Sequence, residues 1–405
     1  ILGFNFPYEF PEYQCNNKIY PYINCLLNQQ QSPKDYIISL FDDFDIVVLQ
    51  ENIHGEASQW ELITDIIKDS IFIHNVGNVF TEYGSAMHQD KIDRFLHIKF
   101  DSDTALEKET ALLMNYMSGG FYYFIKNLNL LNNTLPDSLK IQEHYTDCID
   151  WDYFTTLGRG QISQDMNRDS LMADVVIKWY NQQCKDNKRH KLLLVTNGRH
   201  AYGYAGGKAK ITDKRNDFRY LNKGNQGQYI WSKFPERTAT VMQMGFNNNR
   251  MIYLPLCREI NKGIWSKAYQ MTSAHPVGFN LRGTPFGEDH VEDYPLRGGK
   301  TRLKYADLFT GIIFNNPYME MTKKDHPYQK YAVYEEARRK GITDSVLIAQ
   351  KTFFLTDEGS TSSSMFWAIS ISISNFLPIV CFLLLMVFSV TSYLIYTITH
   401  LQRAH

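Results

Sequence analysis

No Cys-x-x-Cys pair occurs among the six cysteines of this 405-residue chain, Cys15, Cys25, Cys148, Cys184, Cys257 and Cys381, which disfavours a structural zinc site. His-x-x-x-His and His-Glu-x-x-His are missing too, and with them the common helical zinc patterns. No Gly-x-Ser-x-Gly is present, so a serine hydrolase built on a nucleophile elbow is disfavoured. Gly206-Gly207-Lys208 and Gly298-Gly299-Lys300 lack the rest of a phosphate-binding loop and read as turns. Charge of one sign is scarce as well. The net charge is −1 and the signs are mixed along the chain, so no global basic field recruits nucleic acid. There is no internal repeat and no stretch of disordered composition.

What the chain does have is apolar substance. Hydrophobic residues make up 44% and aromatics 14%, ample for one large domain or two smaller ones. Residues 1–35, rich in Tyr, Pro, Asn and Gln, read as an irregular N-terminal segment. Within it Cys15 and Cys25 fit either a local disulfide or two free thiols. From residue 36 to about 355, strand-like and helix-like segments alternate. Asp45–Gln50, Asn78–Thr81, a piece within Leu139–Asp150, Lys191–Thr196, Thr238–Gly245, Met251–Pro255 and Gly311–Phe314 read as strands. Leu106–Met117, Phe121–Leu131 and Asp169–Gln183 read as helices, the last with Leu171, Met172, Val175, Val176 and Trp179 on one face. Residues 203–230, rich in Gly, Asn and Lys, read as a surface insertion. The alternation predicts an α/β or α+β fold with a mixed, largely parallel sheet flanked by helices.

The C-terminal part differs. Residues 356–365 read as a polar tether, and Met365 to Thr399 contains no charged residue. The span 366–399 is long enough to cross an apolar layer of about 30 Å and predicts one transmembrane helix, with residues 400–405 as a short tail. Arg403 after the span favours a cytoplasmic tail and an extracytoplasmic domain, against the upstream Arg338-Arg339-Lys340. The chain begins with Ile1, which fits either a removed leader or a fragment.

Polar residues gather at three predicted strand ends. Glu51-Asn52-Ile53-His54-Gly55-Glu56 lies between an apolar strand and an amphipathic helix, where α/β folds bind ligands. Glu56 fits a helix cap, since acids in a first helical turn are favoured by the dipole alone. Glu82 ends the next strand, and placing the two strands side by side would bring it next to Glu51 and His54. Asn197-Gly198-Arg199-His200 follows the most apolar strand and offers more hydrogen-bonding side chains than a turn needs. Asp147, Asp150 and Asp152 cluster near a further strand end and suit a supporting hydrogen-bond role.

Together these segments resemble the erythromycin esterase-like family, related to haem-uptake and Tiki-type proteins. The family's Gly-Glu-x-x-His-Gly is matched by Glu51, His54 and Gly55, with Gln50 in place of its first glycine. Glu82 falls at the family's second acidic position. Asn167-Arg168-Asp169-Ser170-Leu171-Met172-Ala173 resembles its Arg-Asp-x-x-Met-Ala helix start. The late His-Asn-x-His motif is represented by Thr196, Asn197 and His200, so its first histidine is lost. The resemblance spans roughly residues 36–320. It implies a hydrolase acting on an ester or lactone without a cofactor, anchored to a membrane by the C-terminal helix and taking a small-molecule substrate. On this reading His54 is the base, Glu51 or Glu82 orients it, and Arg199 and His200 stabilise the oxyanion. Asn197, Arg168 and Asp150 contact substrate. Two alternatives stay open: a divalent metal held by Glu51, His54, Glu82 and His200 for Tiki-type peptide cleavage, or a haem- or ligand-binding protein without catalysis, with His54 or His200 as axial ligand.

Overall fold

The computed structural model describes residues 17–51, 57–113, 119–149, 167–186, 188–203, 224–244, 260–292, 300–315 and 327–348, all within the unit Ile1–Ile348. The strands are β1 (Ile46–Glu51), β2 (Asn78–Ser85), β3 (Gln142–Asp147), β4 (Leu192–Asn197), β5 (Thr238–Met244), β6 (Val277–Asn280), β7 (His290–Glu292), β8 (Lys300–Lys304) and β9 (Gly311–Phe314). Helices of eight residues or more are α1 (Tyr20–Leu27), α2 (Pro33–Asp43), α3 (Ala57–Ile67), α4 (Gln89–His97), α5 (Asp103–Leu113), α6 (Gly119–Asn132), α7 (Arg168–Lys185), α8 (Gln226–Lys233), α9 (Ile264–Met271) and α10 (Gln329–Arg339).

Seven strands form one sheet in the order β3-β2-β4-β1-β5-β9-β6. Every neighbouring pair is parallel except β6 with β9. This is the largely parallel α/β sheet the alternation predicts. Its central strands are apolar runs because helices cover both faces. Side-chain alternation decides which helix each residue meets. Ile46 and Val48 of β1, Phe80 of β2, and Leu192 and Leu194 of β4 pack with Ala173, Val176 and Tyr180 of α7 and Ile230 of α8. On the opposite face Tyr83 of β2 meets Trp60 of α3 at 5.3 Å between ring centroids, with Phe121 of α6 stacked beside it. A second core joins α1, α9, β6 and β9. There Asp289 Oδ2 accepts bonds from Tyr22 Oη, Asn261 Nδ2 and Trp265 Nε1, tying α1 to the far edge of the sheet.

Several expectations need correction. Residues 17–35 are ordered by α1 and the start of α2, where Ser32 caps Asp35 N and Pro33 occupies the first turn. Cys25 is a free thiol. The predicted surface insertion at 203–230 holds the start of α8, whose Asn225 cap accepts from Gln228 N and whose first residues are buried. Residues 204–223 and the predicted strand at Met251–Pro255 lie outside the described residues. On α7 the buried face is Met172, Ala173, Val176 and Tyr180, one residue on from the predicted stripe, and Leu171 is exposed. Among the described residues no helix is long and apolar enough to cross a membrane, and the span 366–399 lies outside them.

The correction that matters most for function is the strand order. β1 and β2 are not neighbours, because β4 lies between them. The first crossover, through α3, leaves a gap one strand wide, and the apolar β4 fills it. Glu82 therefore sits next to β4 rather than beside Glu51.

Candidate functional site

The carboxyl ends of β1, β2, β3 and β4 lie along one edge of the sheet, where α/β folds place their ligands. Glu51 is the last residue of β1, in register with Asn197 of β4. It is 1% exposed and accepts a bond of 2.6 Å from Tyr83 Oη. By alternation Glu51 points to the α3 face, with Val47 and Leu49. Glu82 points to the α7 face, with Phe80. The two carboxylates expected side by side thus leave the sheet on opposite sides.

On the α7 face the side chains converge. Glu82 Oε2 accepts from Thr196 Oγ1 and from Asn197 N, each at 2.8 Å. Thr196 Oγ1 also lies 2.8 Å from Gln226 Oε1. One hydroxyl proton cannot serve both oxygens. Turning the Gln226 amide resolves this: its NH2 donates to Thr196, and Thr196 donates to Glu82. The Thr196 hydroxyl thereby secures Glu82.

Arg168 is the first residue of α7, after the Asn167 cap that accepts from Ser170 N. Its Nε and Nη2 bind the two oxygens of Asp147 at 2.9 and 2.7 Å, the bidentate fork of an arginine–carboxylate pair. Nη2 also lies 3.9 Å from Glu82 Oε1. Burial works against the guanidinium charge, and the Asp147 pair outweighs it, so the Arg168 pKa is raised. Arg168 Nη1 faces His200 Nε2 at 3.5 Å. On its other side His200 Nδ1 lies 2.6 Å from Asp169 Oδ1, and the imidazole is 3% exposed. Asp169 Oδ1 accepts from His200 Nδ1–H, which leaves Nε2 as the ring nitrogen that faces Arg168 Nη1. Asp169 is fixed in turn by Gln226 N at 2.9 Å. Its place in the first turn of α7 suits its charge.

Gly198 leaves room for the end of the Gln50 side chain. A Cβ there would lie 2.5 Å from Gln50 Nε2. Cys148, beside Asp147, is held as a thiol: burial and then the Asp147 charge push its pKa up.

Of the residues singled out in the sequence, Glu82, Arg168, Asn197 and His200 come together, and Glu51 ends the neighbouring strand on the other face. His54 and Asp150 lie outside the described residues. Arg199 is described only in its backbone, within the turn Gly198–His200. Asp147 has the supporting role its cluster suggested, on Arg168. Three residues of the network went unassigned: Asp169, Thr196 and Gln226. Asp169 was visible beside Arg168 but reads as a helix start. Gln226 carries no local signal, because its role depends on α8 docking against β4. Among the described residues no group of three or more His, Cys, Asp or Glu side chains is arranged to hold a metal ion.

No family model matches this chain, and no curated protein does. Solved structures match at low identity. A succinoglycan biosynthesis protein superposes with a TM-score of 0.50 at 10% identity, covering 74% of this chain and 97% of its own. A Bacillus cereus protein gives 0.46 at 8% identity, covering 73% and 96%. An erythromycin esterase, EreC, in its open conformation gives 0.43 at 12% identity, covering 68% and 91%. These are likenesses of fold.

Proposed function

We propose that the chain is a hydrolase that cleaves an ester or lactone by imidazole-activated water. The observation that carries this reading is the buried His200–Asp169 pair. A carboxylate on Nδ1 fixes the tautomer and steadies the imidazolium that forms, and proton transfer falls to Nε2, which faces Arg168 Nη1 at 3.5 Å. Water gives a proton to His200 Nε2 as its oxygen attacks the carbonyl carbon. The carbonyl oxygen becomes an oxyanion, and Arg168, next to Nε2, is the cation positioned to stabilise it. Collapse breaks the acyl C–O bond, and the leaving alkoxide takes the proton back. Glu82 and Asp147 hold the guanidinium in place. Glu51 ends the neighbouring strand, and the sequence pattern assigns His54 as a base that Glu51 orients, Arg199 as an oxyanion donor and Asn197 as a substrate contact. The span 366–399 tethers this activity to a membrane.

The test is hydrolysis of p-nitrophenyl butyrate by the full chain. His200→Asn and Asp169→Asn should each lower kcat/KM by about 10²–10⁴ without unfolding the protein. Turnover by His200→Asn equal to wild type would overturn the reading. Loss of turnover on chelation, with recovery on adding a divalent ion, would replace it with the metal-dependent alternative.

A further inference from the structure

The contacts of the site close into a ring, and Gln226 is the residue at which it closes. Gln226 Oε1 and Glu82 Oε2 each lie 2.8 Å from Thr196 Oγ1. Glu82 Oε1 pairs with Arg168 Nη2 at 3.9 Å, and Arg168 Nη1 faces His200 Nε2 at 3.5 Å. His200 Nδ1 lies 2.6 Å from Asp169 Oδ1, and that oxygen accepts from Gln226 N at 2.9 Å. The main chain of Gln226 therefore serves the carboxylate of the imidazole. Its side chain serves the carboxylate that faces the guanidinium.

The seat of α8 fixes Gln226 in this place. Asn225 caps the helix on Gln228 N, and Ile230 packs in the core with β1 and β4. Gly227 lies so close to the turn after β4 that a Cβ would stand 2.8 Å from Tyr202 O. Gln226 is 0% exposed, so water does not set the direction of its amide. Two observations favour the turned amide. With Oε1 toward Thr196, two acceptors compete for one hydroxyl proton, and Nε2 is buried without a partner. Turned, Nε2 donates to Thr196, and the hydroxyl proton goes to Glu82.

We propose that Gln226 is a positioning residue of the hydrolytic reaction, resting on that assignment: through Thr196 its amide keeps Glu82 a hydrogen-bonded anion, and Glu82 holds Arg168 beside His200 Nε2. The direction of one hydroxyl carries the effect. An NH2 group at Thr196 Oγ1 occupies the threonine oxygen and aims its proton at Glu82. Without that NH2 the hydroxyl is free to turn, and Glu82 Oε2 loses a fixed donor. A carboxylate less well stabilised as an anion holds the guanidinium less firmly. The oxyanion that Arg168 meets exists only in the transition state, so the loss falls on kcat rather than KM.

The test is a double-variant cycle on the full chain with p-nitrophenyl butyrate. Gln226→Met keeps the shape of the side chain and the main-chain bond to Asp169. It should lower kcat by about tenfold with KM within about twofold of wild type. Thr196→Val removes the hydroxyl and should cost at least as much, while Thr196→Ser keeps it and should retain kcat within about threefold. The double variant should be no slower than Thr196→Val alone, because the amide acts through that hydroxyl. Wild-type kcat in Gln226→Met, a loss confined to KM, or losses that multiply in the double variant would overturn the role. Tm is read alongside, and the split between kcat and KM in Gln226→Met decides alone if Thr196→Val does not fold. His200→Asn in the same assay keeps the two ideas apart. If it loses turnover while Gln226→Met does not, the positioning role falls and the hydrolytic centre stands; wild-type turnover by His200→Asn removes both.

Discussion

Glu82 and Glu143 are buried glutamates on neighbouring strands, yet their surroundings make them opposites. Glu82 has two donors on one oxygen and a guanidinium facing the other, the setting of an anion. Glu143 is 0% exposed and has one contact, Thr81 Oγ1 at 2.5 Å, while its Oε2 has no partner. Burial pushes its pKa well above the ordinary value. The hydrogen bonds agree with a neutral acid. Thr81 Oγ1 also lies 3.0 Å from Tyr83 O, which can only accept, so the threonine proton belongs there and Glu143 donates to Thr81. The difference teaches that burial alone does not make a working carboxylate. The donors brought to it decide, and at Glu82 they come from β4 and α7.

The largest effect should separate the pair on turnover. Glu82→Gln sets an NH2 group among donors and loosens Arg168, and should lower kcat/KM by about 10² or more. Glu143→Gln should leave kcat/KM for p-nitrophenyl butyrate within about twofold of wild type. Equal losses would break the comparison. On stability, Arg168→Met removes the ion-pair partner of buried Asp147 and should cost about 3–5 kcal/mol in urea unfolding.

The strands were legible in the sequence because a parallel sheet covered on both faces writes itself as apolar runs. Leu192–Val195 and Gly311–Phe314 are plain examples. The site was half legible. Glu82, Arg168, Asn197 and His200 stand at strand and helix ends, where polar residues are conspicuous. Strand order was not legible, because local pattern does not say that the fourth strand slips between the first two. That one fact moved Glu82 from Glu51 to Thr196. The role of Gln226 was hidden for the same reason, since it exists only once α8 rests against β4.

The smallest effect is a difference in pH dependence. Glu143 is protonated in the folded state but ionises near the ordinary value of 4.5 when unfolded, so its contribution is complete below that value and declines as pH rises. Its neighbour His144 has the opposite slope. Burial lowers its pKa from 6.5 to about 3, so its contribution is present above 6.5 and is lost as pH falls. The two oppose each other between 4.5 and 6.5. Glu143→Gln should therefore remove a loss of stability as pH rises above 4.5, read as Tm against pH. Parallel profiles for wild type and variant would show that Glu143 is not held neutral.

The measurement that bears most directly on the account is the protonation pattern of the His200 imidazole. With ¹⁵N-labelled histidine in the full chain at neutral pH, two-bond ¹⁵N–¹H correlations distinguish the tautomers, and His200→Asn assigns the signal. The account predicts a proton on Nδ1 and a bare Nε2, with this pattern lost in Asp169→Asn. A proton on Nε2, or a pattern that Asp169→Asn leaves unchanged, would contradict it.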